Sequence, residues 1–162
     1  MDIEAIAGLV FRWLHMLAAI TAVGGTVFVR AVVVPTLDQV APDERKSLHA
    51  AMRARWSKIV ATAIGFLLVS GLYNFAMTTI HFTLPRWYHP VFGIKFLAAF
   101  VIFLIASLLT GKTPAAEKVR KNARFWLNLN IALAVLVVCL SGVLRTAEKI
   151  PKDPPPAKVI SG

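Results

Sequence analysis

Four stretches of this chain contain no Asp, Glu, Lys or Arg: residues 13–29, 59–84, 96–111 and 125–144. A helix needs about 20 apolar residues to cross the hydrocarbon of a bilayer. Three of the runs meet or approach that length, and the third does so once residues 87–95 are added. A soluble domain of 162 residues could bury a core without runs of this kind, and here 57% of residues are hydrophobic and 16% charged. The expected fold is therefore all-α: an integral membrane four-helix bundle of residues 1–146, with helices over 6–34, 47–81, 88–111 and 122–146.

Punctuation between the runs supports these bounds. Pro35 is expected to end the first helix, and the polar connection 36–46 contains Pro42 and Asp43, an N-cap type of start. The second helix begins amphipathic, with His49, Arg53, Arg55 and Trp56, and is wholly apolar from Ile59. The connection 84–90 carries Trp87, Tyr88 and His89, an aromatic content suited to a membrane interface. Pro114 breaks the third helix. Residues 147–162 are expected to form a Pro-rich disordered tail, a solvated end or a strap for a protein partner.

The net charge of +10 does not point to nucleic acid, because no basic soluble module is left over to bind it. The cations lie at helix ends and in loops, where they meet lipid headgroups and fix orientation. Eleven Lys and Arg fall on the side of the loops after the first and third helices, against six on the side of the termini. That count predicts termini outside, in a membrane expected to be a bacterial inner membrane. Asp2 and Glu4 near the start, without an A-x-A-like site after a basic start, predict that the first span is retained as an anchor. Cys139 is the single cysteine and is expected to be a small buried apolar residue.

Two polar residues interrupt the apolar pattern in matching places. Leu14-His15-Met16-Leu17-Ala18-Ala19 aligns with Ile94-Lys95-Phe96-Leu97-Ala98-Ala99 on the final Leu-Ala-Ala, setting His15 opposite Lys95. Ser70-Gly71-Leu72-Tyr73-Asn74 likewise resembles Ser141-Gly142-Val143-Leu144-Arg145. The chain thus reads as two helical hairpins related as a pseudo-repeat, in parallel about an axis along the membrane normal. His15, Lys95, Asn74 and Arg145 then share one leaflet with Arg12 and the connection bearing His81, Arg86 and His89. Cations gathered there without carboxylates call for an anion, either lipid phosphate or the propionates of a heme. A lysine at such depth is costly and is a functional candidate by default. Ala18, Ala19, Ala22, Gly25 and Thr26 give the His15 helix a flat face, open to a neighbouring helix or to a macrocycle.

Trp13-Leu14-His15 with Gly25 ten residues later resembles the opening helix of the HemJ-type protoporphyrinogen oxidases and the related copper-resistance D membrane domains. Gly93-Ile94-Lys95-Phe96-Leu97 is similar to their lysine-bearing helix, and Arg124-Phe125-Trp126-Leu127-Asn128 to the start of their last span. The resemblance covers roughly residues 9–145. It implies heme b held in the membrane, His15 as an axial ligand of the heme iron and Lys95 as an essential catalytic or cofactor-binding partner. The chain departs from the pattern at Ala22, where the family often has Trp, and at Leu129-Asn130-Ile131, where it has Pro-Thr after the Asn.

On this reading Arg12, Arg86 and Arg145 are candidates for propionate contacts. His81 or His89 would be the second axial ligand, and His49, on the opposite side, could serve a second heme. The redox role is either protoporphyrinogen oxidation or that of an electron-transfer or accessory subunit, with the tetrapyrrole, lipids, a membrane complex or a second copy as partners. Copper transport would need soft sulfur ligands. Cys139, Met16, Met52 and Met77 are scattered among three helices. A cofactor-free structural membrane subunit is the remaining alternative.

Overall fold

A computed structural model describes residues 3–152 of the chain. They form α1 (Ile3–Phe28), a π-helical turn (Val29–Val33), α2 (Val34–Asp38), α3 (Pro42–His81), β1 (Phe82–Thr83), α4 (Tyr88–Thr110), α5 (Pro114–Lys121), α6 (Ala123–Arg145) and β2 (Ile150–Pro151). Four helical segments are long and apolar enough to cross a membrane: Ile3–Asp38, Pro42–His81, Tyr88–Thr110 and Ala123–Arg145. The all-α architecture expected from the apolar runs is present.

Pro35 does not end the first helix. Proline lacks the N–H that would bond the carbonyl four residues back. The chain absorbs this by widening the preceding turn, so that the Val34 N–H reaches the Val29 carbonyl and the helix runs on to Asp38. α3 also begins earlier than expected. Ala41 is its N-cap, Pro42 takes the first turn, and Asp43 and Glu44 follow inside that turn, where carboxylates favour the positive end of the helix. At 1.5 Å per residue its 40 residues measure about 60 Å, about twice the hydrocarbon thickness. The basic stretch before Ile59 is the part that exceeds a span.

α1 packs along α3 and α4 along α6, and the two pairs meet through α3 with α4 and α1 with α6. The helices close a ring in which α1 stands diagonal to α4. Small residues mark the contacts: Ala18, Ala63, Ser70, Ala98 and Ala134 are buried, which lets backbones approach without a large hydrophobic core. Trp13, Leu17, Ile20, Leu97, Phe100 and Val138 face outward, as lipid contact requires. Cys139 is exposed on that outer surface rather than buried as expected.

Polar contacts tie both ends. On the loop side, Arg30 Nε donates to Asn128 Oδ1 at 2.7 Å, and Asp38 accepts from Arg124 and lies 3.9 Å from Arg45. On the terminus side, Phe82–Thr83 pairs antiparallel with Ile150–Pro151, and Lys152 donates from its backbone to His81 O at 3.0 Å and from Nζ to Thr79 O at 2.8 Å. Residues 147–152 therefore fold back on the end of α3; residues 153–162, with the triple proline, lie outside the described residues. Beneath the clasp, Tyr88, Leu144 and Ala147 are buried, and Phe75 stacks on Phe92 at 3.9 Å.

Candidate functional site

His15 lies on the face of α1 that meets α3. Its Nδ1 is 2.9 Å from the Ser70 hydroxyl, and that hydroxyl is also hydrogen-bonded to the Phe66 carbonyl one turn back on α3. A hydroxyl has one proton to give. Since the carbonyl can only accept, Ser70 donates to Phe66, and the proton between His15 and Ser70 belongs to Nδ1. The imidazole is then fixed as the tautomer whose Nε2 keeps its lone pair. An N–H held by a neighbouring oxygen is the usual way a protein sets the tautomer and direction of a ligating histidine. Ser70 is 1% exposed, so water does not compete for the bond.

Gly71 completes the seat. A Cβ there would stand 3.4 Å from His15 Cε1 and 3.7 Å from Nδ1, so the ring packs directly on the α3 backbone. Nearly three turns farther along α1, Trp56 covers Gly25 so closely that a Cβ on Gly25 would fall 1.9 Å from the indole Cη2. The flat small-residue face of α1 is thus occupied by α3 and, at Gly25, by an indole.

Lys95 is half-buried on α4. His15 and Lys95 are thus both partly buried, on helices that stand diagonal in the ring. Among the described residues no hydrogen bond or ion pair reaches the Lys95 ammonium, whose three donors demand acceptors. A cation beside an imidazole with a free lone pair, in an apolar bundle, suits an anionic or metal-centred ligand.

The other histidines are elsewhere. His81 is eleven residues beyond Ser70 on α3, about 16 Å along the axis, and His49 is twenty-one residues before it, about 31 Å the other way. His89 lies edge-on to Phe75, with ring centroids 6.4 Å apart, and is six residues or about 9 Å from Lys95 along α4. Metal–imidazole bonds are about 2 Å long, so neither His81 nor His49 is placed to share an iron with His15. Arg86 and Arg145 are exposed on the terminus side. Met16, Met52 and Cys139 are exposed too, and Met52 lies twenty-five residues from Met77 on α3, about 37 Å away. The sulfur ligands copper requires are not brought together. Among the described residues, no three His, Cys, Asp or Glu side chains gather at metal-binding distance.

Two grooves flank the α1–α3 contact. One, of about 330 Å³, is apolar and lined by Phe11, Leu14, Thr62, Phe66 and Ser70. The other, of about 270 Å³, is polar and joins Arg12, Asn74 and His81 with Glu4. Phe11 of the first stacks on Tyr73 of the second, with ring centroids 4.1 Å apart. The cations of this leaflet are therefore not free of carboxylates, as the sequence led us to expect, because Glu4 stands with Arg12.

Sequence reasoning singled out His15 and Lys95 but not Ser70 as a partner of His15, nor Glu4. Ser70 carried a usable signal, a hydroxyl in an apolar run at the level of an apolar-run histidine. Comparison with protein-family models, with curated proteins and with solved structures finds no match to this chain.

Proposed function

We propose that this chain is an integral-membrane heme b protein with a redox role, in which His15 Nε2 is an axial ligand and Lys95 balances the negative charge of the tetrapyrrole. The observation that carries the reading is the relay Phe66 carbonyl–Ser70 hydroxyl–His15 Nδ1, which fixes the imidazole as the tautomer whose Nε2 keeps its lone pair; Lys95, which has no hydrogen-bond or ion-pair partner among the described residues, would supply the counter-charge. The donor set fits one imidazole ligand, and His81 and His49 lie too far along α3 to be a second. When bound, heme would supply one-electron chemistry, its potential set by ligand, burial and nearby charge. The chain's own residues would orient the ring, exclude water and hold the counter-charge, with Arg86 and Arg145 on the side where propionates reach the headgroups.

The HemJ-like resemblance favours protoporphyrinogen oxidation. The small mass outside the spans favours an electron-transfer or accessory subunit. Turnover of protoporphyrinogen by the purified chain separates the two. The pseudo-repeat belongs to the same proposal. Ser141 Oγ donates to the Val137 carbonyl at 2.6 Å, as Ser70 does to Phe66, a likeness consistent with the repeat, although hydroxyls elsewhere in the bundle make the same bond. The Lys and Arg count favours both termini outside, and a bacterial inner membrane is part of the same proposal.

A cofactor-free bundle is the competing reading, and the same bond favours it, because a histidine satisfied by Ser70 can serve packing alone. Visible spectra of the detergent-purified protein, oxidised and reduced, decide between them. Sharp b-type bands in the wild type that are lost or shifted in His15→Ala support the heme site. Bands unchanged in His15→Ala remove His15 from it.

A further inference from the structure

The polar groove at the terminus-side end of α1 and α3 has features the heme reading does not use. Its walls carry Glu4 and Arg12 from α1, Asn74, Met77 and His81 from α3, and Phe82 just beyond. Arg12 immediately precedes the uncharged run that starts at Trp13, and His81 is the last residue of α3. The groove therefore sits where hydrocarbon gives way to headgroups. Glu4 is eight residues, about 12 Å, farther out along α1. Helical side chains lean toward the N-terminus, so both side chains extend outward and only the greater length of Arg12 narrows that gap. Among the described residues the two form no ion pair with each other. The groove thus presents a cation at the level of lipid phosphates and a carboxylate outside it, with apolar Met77 and Phe82 alongside.

A phospholipid with a terminal primary ammonium carries complementary charges in the same order, the phosphate next to the glycerol and the ammonium beyond. We propose that this groove binds one such zwitterionic phospholipid, its phosphate on Arg12, its ammonium on Glu4 farther out, and its glycerol and acyl chains running inward from Arg12 toward the hydrocarbon. A lipid with a phosphate but no ammonium is disfavoured, because its negative headgroup meets the Glu4 carboxylate unscreened. The site shares only Arg12 with the heme reading, and neither His15 nor Lys95 contributes to it.

Native mass spectrometry of the full chain in detergent, with equimolar phosphatidylethanolamine and phosphatidylglycerol, tests the assignment. Exposed charge pairs contribute little individually, so the wild type should retain phosphatidylethanolamine about threefold over phosphatidylglycerol. Glu4→Gln should erase the preference and Glu4→Lys invert it, while Arg12→Gln weakens both lipids about threefold and Arg12→Lys restores them. Excess inorganic phosphate should leave the lipid adduct intact. Equal retention of both lipids by the wild type, an unchanged preference in Glu4→Gln and Glu4→Lys, or displacement by inorganic phosphate would each overturn the proposal.

Discussion

Adding one methyl group at Gly25 tests the helix contact that shapes the candidate site. In Gly25→Ala the new carbon would lie 1.9, 2.6 and 2.9 Å from Cη2, Cζ2 and Cζ3 of Trp56, where carbon atoms rest about 3.5–4.0 Å apart. The obstacle is a rigid ring, so no flexible tip can swing aside. Either α1 and α3 separate by about 1.5–2 Å at this level, or the indole leaves its seat. Overpacking of this kind costs about 1–3 kcal/mol, and full loss of the indole contact sets a ceiling of about 3–5 kcal/mol. The assay is a double-mutant cycle on the purified protein in mild detergent, with unfolding followed by circular dichroism. Gly25→Ala should cost about 1–3 kcal/mol alone and almost nothing in a Trp56→Ala background, where the methyl enters vacated space. Independent sites add to within about 0.5 kcal/mol. Additivity of that quality between Gly25→Ala and Trp56→Ala would refute the contact and the α1–α3 register built on it.

Three further outcomes are expected. Ser70→Ala leaves the His15 Nδ1 proton without its acceptor; it should cost about 1 kcal/mol of stability in denaturant titration and shift the bands of any bound heme, and Ser70→Thr should restore both. Lys95→Met removes an unpartnered interior cation, so the apoprotein should gain about 1–3 kcal/mol while heme retention falls; a stability loss instead would show that Lys95 already has a partner. Asn128→Ala breaks the Arg30 contact on the loop side and should cost about 0.5–1.5 kcal/mol, with Arg30→Ala adding little more when the two are combined.

Much of the fold could be read from the chain because a bilayer leaves few alternatives. A run without charges, long enough to span, becomes a helix whose backbone satisfies itself, and all four runs did. The ends were less legible. Proline was read as a terminator at Pro35 because the rule is local, whereas a π turn at Val29–Val33 lets the helix continue to Asp38, which meets Arg124 and Arg45 on other elements. The start of α3 was signalled by Pro42-Asp43-Glu44 but was placed several residues too late. Residues 147–152 were read with the proline-rich tail, yet Ile150 and Lys152 grip the end of α3 through a pairing that only the folded chain supplies.

The site divides in the same way. His15 and Lys95 stood out because polar atoms in lipid-facing segments are costly. Their placement on opposite corners of the bundle required only that the helices alternate in direction and close a ring. Ser70 was quoted for its place in a repeat and not as a ligand of the imidazole, because a serine in an apolar helix commonly bonds its own backbone. It does both here. Glu4 escaped notice because it precedes the apolar run, two helical turns from the arginine it joins. His81 was drawn into the site by sharing a leaflet, but distance along α3 separates it from His15.

The account stands or falls on whether His15 and Lys95 hold a porphyrin. The most direct measurement is the heme content per polypeptide of the full chain, purified after expression with ample porphyrin supply and determined by extraction into alkaline pyridine. Close to one heme b per chain, falling sharply in His15→Ala, is the predicted result. A folded, helical wild-type protein that carries neither heme nor iron would contradict it.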